Sequence, residues 1–198
     1  FALQVELAIY DKVGGKVQVH SLALDKAQRE HTLALPARPL WVEVDPHSAI
    51  LGEWTVEAAP ADLAAVAAHS DHADVRLRAL GDLGRNLHQA AALQAVIQAL
   101  AGDSARHVRA RAAELAGRAV REKVLAALTE ALVKDPEPQV RRTAARSLGN
   151  LVAAAAWPAL VQAAQVDLSD EAQAAALRAL VAIDRERARP ELLAAAAR

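Results

Sequence analysis

Val75-Arg76-Leu77-Arg78-Ala79-Leu80-Gly81-Asp82-Leu83-Gly84, Val108-Arg109-Ala110-Arg111-Ala112-Ala113-Glu114-Leu115-Ala116-Gly117 and Val140-Arg141-Arg142-Thr143-Ala144-Ala145-Arg146-Ser147-Leu148-Gly149 state one pattern three times. Reduced to its shared positions it reads Val-Arg-x-x-Ala-x-x-x-(Leu or Ala)-Gly. An Asp precedes each copy, and Asp71, Asp103, Asp135 and Asp167 are spaced at a constant 32 residues. A fixed period in this range marks a repeat protein whose unit is one helical hairpin, unable to bury its apolar face without stacking on its neighbours. The stretch predicts a short α-α superhelix.

Around this pattern the helices alternate, at roughly 73–84 and 88–101, 105–117 and 120–133, 137–149 and 154–165, then 170–183 and 189–197. The fourth unit is degenerate, with Ala172-Gln173 in place of Val-Arg, as expected of a terminal repeat with one side facing water. Upstream, Ala58-Ala59-Pro60 opens a helix with Pro near its first turn, where the missing N–H costs little. That helix reads as a half-repeat capping the array, so the helical domain is expected over 58–198.

Residues 1–57 have a different rhythm. Phe1, Leu3, Val5, Leu7 and Ile9 occupy every odd position, the period of a half-buried strand. Asp11 to Gly15 is a turn, after which Val17 and Val19 resume the alternation. Leu22 and Leu24 then switch parity, which predicts a bulge or break near His20-Ser21. Beyond a polar loop at Asp25 to Glu30, one strand is expected around Leu33 and Leu35. Another carries Leu40, Val42 and Val44 on one face, with Trp41 and Glu43 on the other. Four short strands imply an antiparallel sheet too small to bury itself, so 1–57 is expected to be part of a β-sandwich or to lean on the helices that follow. Trp54 is expected to pack the sheet against the first helices.

Within each repeat, Val, Ala and Leu at relative positions 0, +4 and +8 lie on one helical face and form the packing stripe. Asp103 and Asp135 stand where a carboxylate can accept orphan N–H groups at a helix start. Gly84, Gly117 and Gly149 suit left-handed C-caps. Arg76, Arg109 and Arg141 admit two readings: ties to the Asp of an adjacent unit, or a row that grips carboxylates of an anionic partner. The first is favoured because the surrounding charge is balanced.

The chain has 198 residues, of which 54% are hydrophobic and only 3% aromatic, so its apolar content is mostly Ala, which favours closely packed helices. A net charge of −1 offers no field for nucleic acid or an anionic membrane, and neither is expected as a partner. Without Cys there is no disulfide or thiolate metal site, and a reducing, cytoplasmic setting is expected. No apolar run approaches the roughly 20 residues that span a bilayer. The chain lacks Met and begins at Phe1 within a strand pattern, so a longer parent protein is expected.

His69-Ser70-Asp71-His72 gathers three potential metal ligands at an inter-helix turn but has no fourth nearby, and reads as polar turn. His20, His31 and His47 are isolated in the strand region. No nucleophile elbow, Gly-rich phosphate loop or His-Glu-x-x-His occurs. No catalytic, cofactor-binding or metal-ligating residue is therefore assigned to this chain. Trp41, Trp54 and Trp157 are too scattered for a base-stacking platform.

The Val-Arg-x-x-Ala-x-x-x-Leu-Gly units resemble HEAT-like repeats over roughly residues 71–183, an architecture that serves many unrelated functions. Phe1-Ala2-Leu3-Gln4-Val5-Glu6-Leu7, with the run from Leu33 through Trp41-Val42-Glu43-Val44-Asp45-Pro46-His47, is similar to the β-sandwich that precedes the helical domain of M1-family zinc aminopeptidases. That resemblance implies a noncatalytic C-terminal portion of such an enzyme, bracing the catalytic domain of the same protein and limiting peptide access. Zinc and the peptide substrate would belong to the parent's catalytic domain. The alternative is a protein-binding HEAT-repeat scaffold unrelated to peptidase activity. A third reading, a lyase subunit or accessory, rests on the shortness of the repeats.

Overall fold

The computed structural model describes residues 3–15, 17–24, 30–52, 54–119 and 122–197. They form two compact units, Phe1–Asn86 and Leu87–Arg198. The boundary expected at 57/58 separates strands from helices. The units instead part at 86/87, because the first two helices pack within the same unit as the sheet.

In the first unit, β1 (Leu3–Tyr10) is the central strand of an antiparallel sheet ordered β2-β1-β3, with β2 at Val17–Leu24 and β3 at Trp41–Val44. The odd-position stripe of β1 buries Val5 and Ile9, while Gln4 and Glu6 are exposed. Two expectations are corrected. All eight residues of β2 pair with β1 without interruption, so there is no bulge at His20-Ser21. Residues 31–40 contain no strand; Pro36 and Pro39 lack the N–H groups a ladder needs, and Leu33 and Leu35 are only half-buried. On β3 the alternation of faces is as expected, and Trp41 and Glu43 form the buried side, at 3% and 1% exposure. Most of the polar loop expected at 25–30 lies outside the described residues.

Among the described residues the sheet is a single three-stranded layer and not part of a sandwich; it leans on helices α1 (Pro60–His69) and α2 (Ala73–Leu83). Trp41 stacks between Tyr10, with ring centroids 4.5 Å apart, and His69 at the end of α1, at 5.8 Å. The buried Glu43 carboxylate accepts the Trp41 indole N–H at 3.0 Å and faces the Tyr10 hydroxyl at 3.4 Å. Burial, and then the neighbouring Glu43 charge, raises the Tyr10 phenol above its ordinary pKa. From α2, Arg78 donates to the Val44 and Asp45 carbonyls at 2.9 and 3.0 Å, fixing the end of β3. Trp54 joins Val42, Val44, Leu63, Val66 and Val75 around a cavity of about 30 Å³, which places it between the sheet and α1 and α2 as expected.

The second unit contains α3 (Ala90–Gly102), α4 (Arg106–Ala116), α5 (Glu122–Lys134), α6 (Pro138–Asn150), α7 (Trp157–Val166), α8 (Asp170–Ile183) and α9 (Arg185–Ala196). They pack in two layers, with α4, α6 and α8 side by side in one and α3, α5, α7 and α9 in the other. Val108, Ala112, Val140, Ala144 and Leu148 are fully buried between the layers, which confirms the 0/+4/+8 stripe. The N-terminal sheet and the helical-repeat array together give the mainly α fold that the sequence pattern predicts.

The repeat glycines do not act as left-handed caps. Gly84 and Gly117 have φ of −58° and −62°, and Gly149 lies inside α6. The left-handed turn after α6 is taken by Val152 at φ 49°. What Gly117 and Gly149 provide is closeness: a Cβ on Gly117 would sit 2.6 Å from Ser147 Oγ, and one on Gly149 would sit 2.8 Å from the Ala179 Cα. Ser147 Oγ uses this proximity to donate to the Ala113 carbonyl at 2.9 Å, joining α6 to α4.

Gly149→Ala is therefore expected to destabilise by about 1–3 kcal/mol, because the opposing atom is backbone and cannot give way. Gly81→Ala, where a Cβ meets nothing within 4 Å, should be neutral or stabilising by about 0.5–1 kcal/mol. Urea unfolding of both variants checks this; equal midpoints would contradict it.

Candidate functional site

The polar positions of the pattern converge on the turns between repeats. Arg109 reaches from α4 to Asp135 in the next turn, donating through Nε at 2.7 Å and through a terminal nitrogen at 3.1 Å. Arg141 does the same one repeat later, from α6 to Asp167, with both bonds at 2.8 Å. Such two-point pairs fix orientation as well as distance. The remaining guanidinium nitrogen of each donates to the turn preceding its own helix, Asp103 O at 2.8 Å for Arg109 and Asp135 O at 2.9 Å for Arg141. Each Arg thus holds two successive turns together.

The carboxylates have a second duty. Asp103, Asp135 and Asp167 accept the backbone N–H two residues on, from Ala105, Glu137 and Ser169, at 2.8–2.9 Å. They close the turns rather than cap the helices, whose N-caps are Ala105 for α4 and Glu137 for α6. In the first unit the corresponding residue is Ser70 and not Asp71. Ser70 Oγ accepts the His72 N–H at 3.1 Å, and its carbonyl receives Arg76 at 2.9 Å. Counting five residues back from Val75, Val108 and Val140 lands on Ser70, Asp103 and Asp135, a signal that the even Asp spacing obscures. At the degenerate repeat, Gln173 keeps only the bond to the turn carbonyl, Asp167 O at 2.7 Å.

The hydrogen bonds that Arg109 and Arg141 donate to Asp135 and Asp167 raise the two guanidinium pKa values, and the bond from Arg141 lowers that of Asp167 against the opposing effect of burial. With both partners nearly buried, at 12% and 5% side-chain exposure for Arg141 and Asp167, these are internal ties. They are not free cations aimed at a ligand.

The histidines do not assemble. His69 stacks on Trp41, while His72 meets His47 edge-to-face at 5.0 Å. His31 Nε2 lies 3.2 Å from the Ala23 oxygen on the sheet. Among the described residues no three His, Asp or Glu form a group able to hold a metal ion. Trp157 is buried in the second unit with the Arg187 guanidinium 4.1 Å above its ring, a cation–π contact.

The open surface of the second unit lies along α3, α5 and α7. A cleft of about 700 Å³ between α3 and α5 is lined by Ile97, Ala101, Lys123, Ala127, Glu130 and Lys134. One repeat on, a groove of about 230 Å³ between α5 and α7 is lined by Val133, Ala159, Gln162, Ala163, Val166 and Leu168. Shifting by 32 residues maps Glu130 onto Gln162, Lys134 onto Val166 and Pro136 onto Leu168. The second groove keeps Asp135, Arg141 and Asp167 in its lining but has Gln162 and Val166 where the first has Glu130 and Lys134, and it gains exposed apolar residues, Val133 at 49%, Val166 at 65% and Leu168 at 99%. The repeat pattern gives no sign of this surface, because these positions are not part of it.

Residues 125–198 match the family model for HEAT repeats. Among solved structures, the chain is similar to one in the complex of CpcE and CpcF of phycocyanin lyase from Nostoc sp. PCC7120, at 29% identity and a TM-score of 0.59, over 74% of this chain and 61% of that one. It is also similar to human deoxyhypusine hydroxylase in complex with glycerol, at 23% identity and a TM-score of 0.58, over 66% of this chain and 45% of that one. The chain thus spans less than two thirds of either. No curated protein matches it.

The second unit has the fold of a HEAT-like helical-repeat array. The resemblance to M1 aminopeptidases is overturned: the family match is to HEAT repeats, the two similar structures are of a phycocyanin lyase and a deoxyhypusine hydroxylase, and the strands that carried the resemblance form a three-stranded sheet with no strand at Leu33–Leu35. Among the described residues no helix is long and apolar enough to cross a membrane.

A pH test follows from the Asp167 shift. Its folded pKa lies below the unfolded value of about 3.9, so its contribution is complete above that value and disappears as pH falls through the folded pKa. Arg141→Ala is expected to cost about 2 kcal/mol at pH 7, and the gap from wild type should narrow only below about pH 4. Urea titrations between pH 7 and 2.5 measure it; a gap that is constant with pH would contradict the pairing.

Proposed function

We propose that this chain is a noncatalytic protein-docking scaffold that receives another protein along α3, α5 and α7. The carrying observation is the groove between α5 and α7, where Val133, Val166 and Leu168 stay exposed, whereas the equivalent positions one repeat earlier are Ala101, Lys134 and Pro136. Exposed large aliphatic side chains gathered at one groove are the usual mark of an interaction site. The Arg–Asp ladder supports the same reading from the other side, since it uses the charges of the repeat pattern to hold the array together and leaves the second-helix layer free to differ between repeats.

The similar phycocyanin lyase chain was solved as a complex of two proteins, which supports a protein partner here. It also favours a narrower version of the proposal, in which this chain is one subunit of a lyase and its partner another subunit.

A photo-crosslinking residue placed at Val166 in the protein within its own cells is expected to capture one defined partner. Leu168→Glu, which changes a side chain at the rim without touching the core, should reduce that capture by about tenfold or more. Capture of nothing, or capture unaffected by Leu168→Glu, would contradict the proposal.

A further inference from the structure

We infer that the cavity between β3 and helices α1 and α2 is a binding site for ordered water, which accepts the Trp54 indole N–H and donates to the carboxylate of Glu43 or Asp82. The site lies within the first unit and is independent of the docking surface on the second. Among the described residues, Trp54 Nε1 is the one buried side-chain nitrogen or oxygen without a hydrogen-bond partner. Trp41 Nε1, by contrast, donates to Glu43 at 3.0 Å. An indole N–H is a donor with no acceptor capacity, and its burial without an acceptor forfeits hydration with no compensating bond. Buried polar groups of folded proteins are almost all satisfied, by protein or by water.

Trp54 lines this cavity together with Glu43, Arg78, Asp82 and a set of aliphatic side chains. Its volume of about 30 Å³ exceeds the roughly 10–15 Å³ that one water requires. It is far below the hundreds of cubic ångströms of an organic-ligand pocket. Size therefore restricts the occupant to water or a small ion.

The donors and acceptors decide between them. Glu43 and Asp82 are only 1% and 8% exposed. Glu43 accepts Trp41 and faces the Tyr10 hydroxyl, and Asp82 accepts Arg85 through one oxygen. A carboxylate has about four lone-pair sites, so both retain capacity to accept. The occupant must accept from Trp54 and donate to a carboxylate. A metal ion or ammonium cannot accept, and a halide cannot donate and would face two carboxylates. Water does both.

Such a water completes the anchoring of the segment between β3 and α1. Its start is pinned by the Asp45 carboxylate, which accepts the Ala49 and Ile50 N–H groups at 2.8 and 3.1 Å. The bound water gives the segment a second polar anchor at Trp54, to β3 through Glu43 or to α2 through Asp82.

The test uses the 198-residue protein. In water-selective NOE and ROE spectra the Trp54 indole proton, assigned by the loss of its signal in Trp54→Phe, should show a cross-peak of the sign given by water that tumbles with the protein. A high-resolution crystal structure should place density within hydrogen-bonding distance of both Trp54 Nε1 and a carboxylate oxygen of Glu43 or Asp82. Lack of a water cross-peak at the Trp54 proton, or density that reaches no carboxylate, would overturn the inference. So would an anomalous peak in the cavity from rubidium or bromide soaked into the crystal, since the occupant would then be an ion.

Discussion

The second unit depends on a guanidinium that is held at three points. Arg109 and Arg141 each engage a carboxylate in the turn ahead and a carbonyl in the turn behind. Because the carboxylate also closes its own turn, through Glu137 N or Ser169 N, moving any one element disturbs the others. Helical hairpins stacked only through Ala-rich faces have little to stop them sliding, since small side chains make shallow ridges. The polar ladder supplies the register that such packing lacks, and the close approaches at Gly117 and Gly149 are possible because that register is kept.

This division of labour explains where a binding surface can arise. One layer of helices is constrained by the stripe, the glycines and the ladder. The other needs only to bury its inner face, so its outer positions can differ from repeat to repeat. The change from Glu130 and Lys134 to Gln162 and Val166 across one repeat shows that freedom. In the first unit the sheet is fixed at β3, by Arg78 and the Tyr10–Trp41–His69 stack.

Much of the fold was legible because the repeat states its rules several times. The Val-Arg-Ala-Leu spacing located the helices and their buried faces, and the pairing of Arg with the next Asp followed from the logic of stacking. The glycine role was not legible, since a left-handed cap and a close helix approach both favour the same residue and only φ separates them. Strand reading failed where alternation was taken without backbone donors, at Leu33 to Pro39. The aminopeptidase resemblance failed for a related reason: it rested on strand-like runs without any residue that performs chemistry. The grooves could not be read at all, because exposure on α5 and α7 is a property of the assembled layers.

The claim that the ladder sets the array is tested most directly by a double-mutant cycle on Arg141 and Asp167, measured as urea unfolding of Arg141→Ala, Asp167→Ala and the double variant at pH 7. The account predicts strong non-additivity, with a coupling of about 1–3 kcal/mol and the second substitution costing much less than the first. Additive losses would contradict it, and would leave the apolar stripe alone to hold the repeats in register.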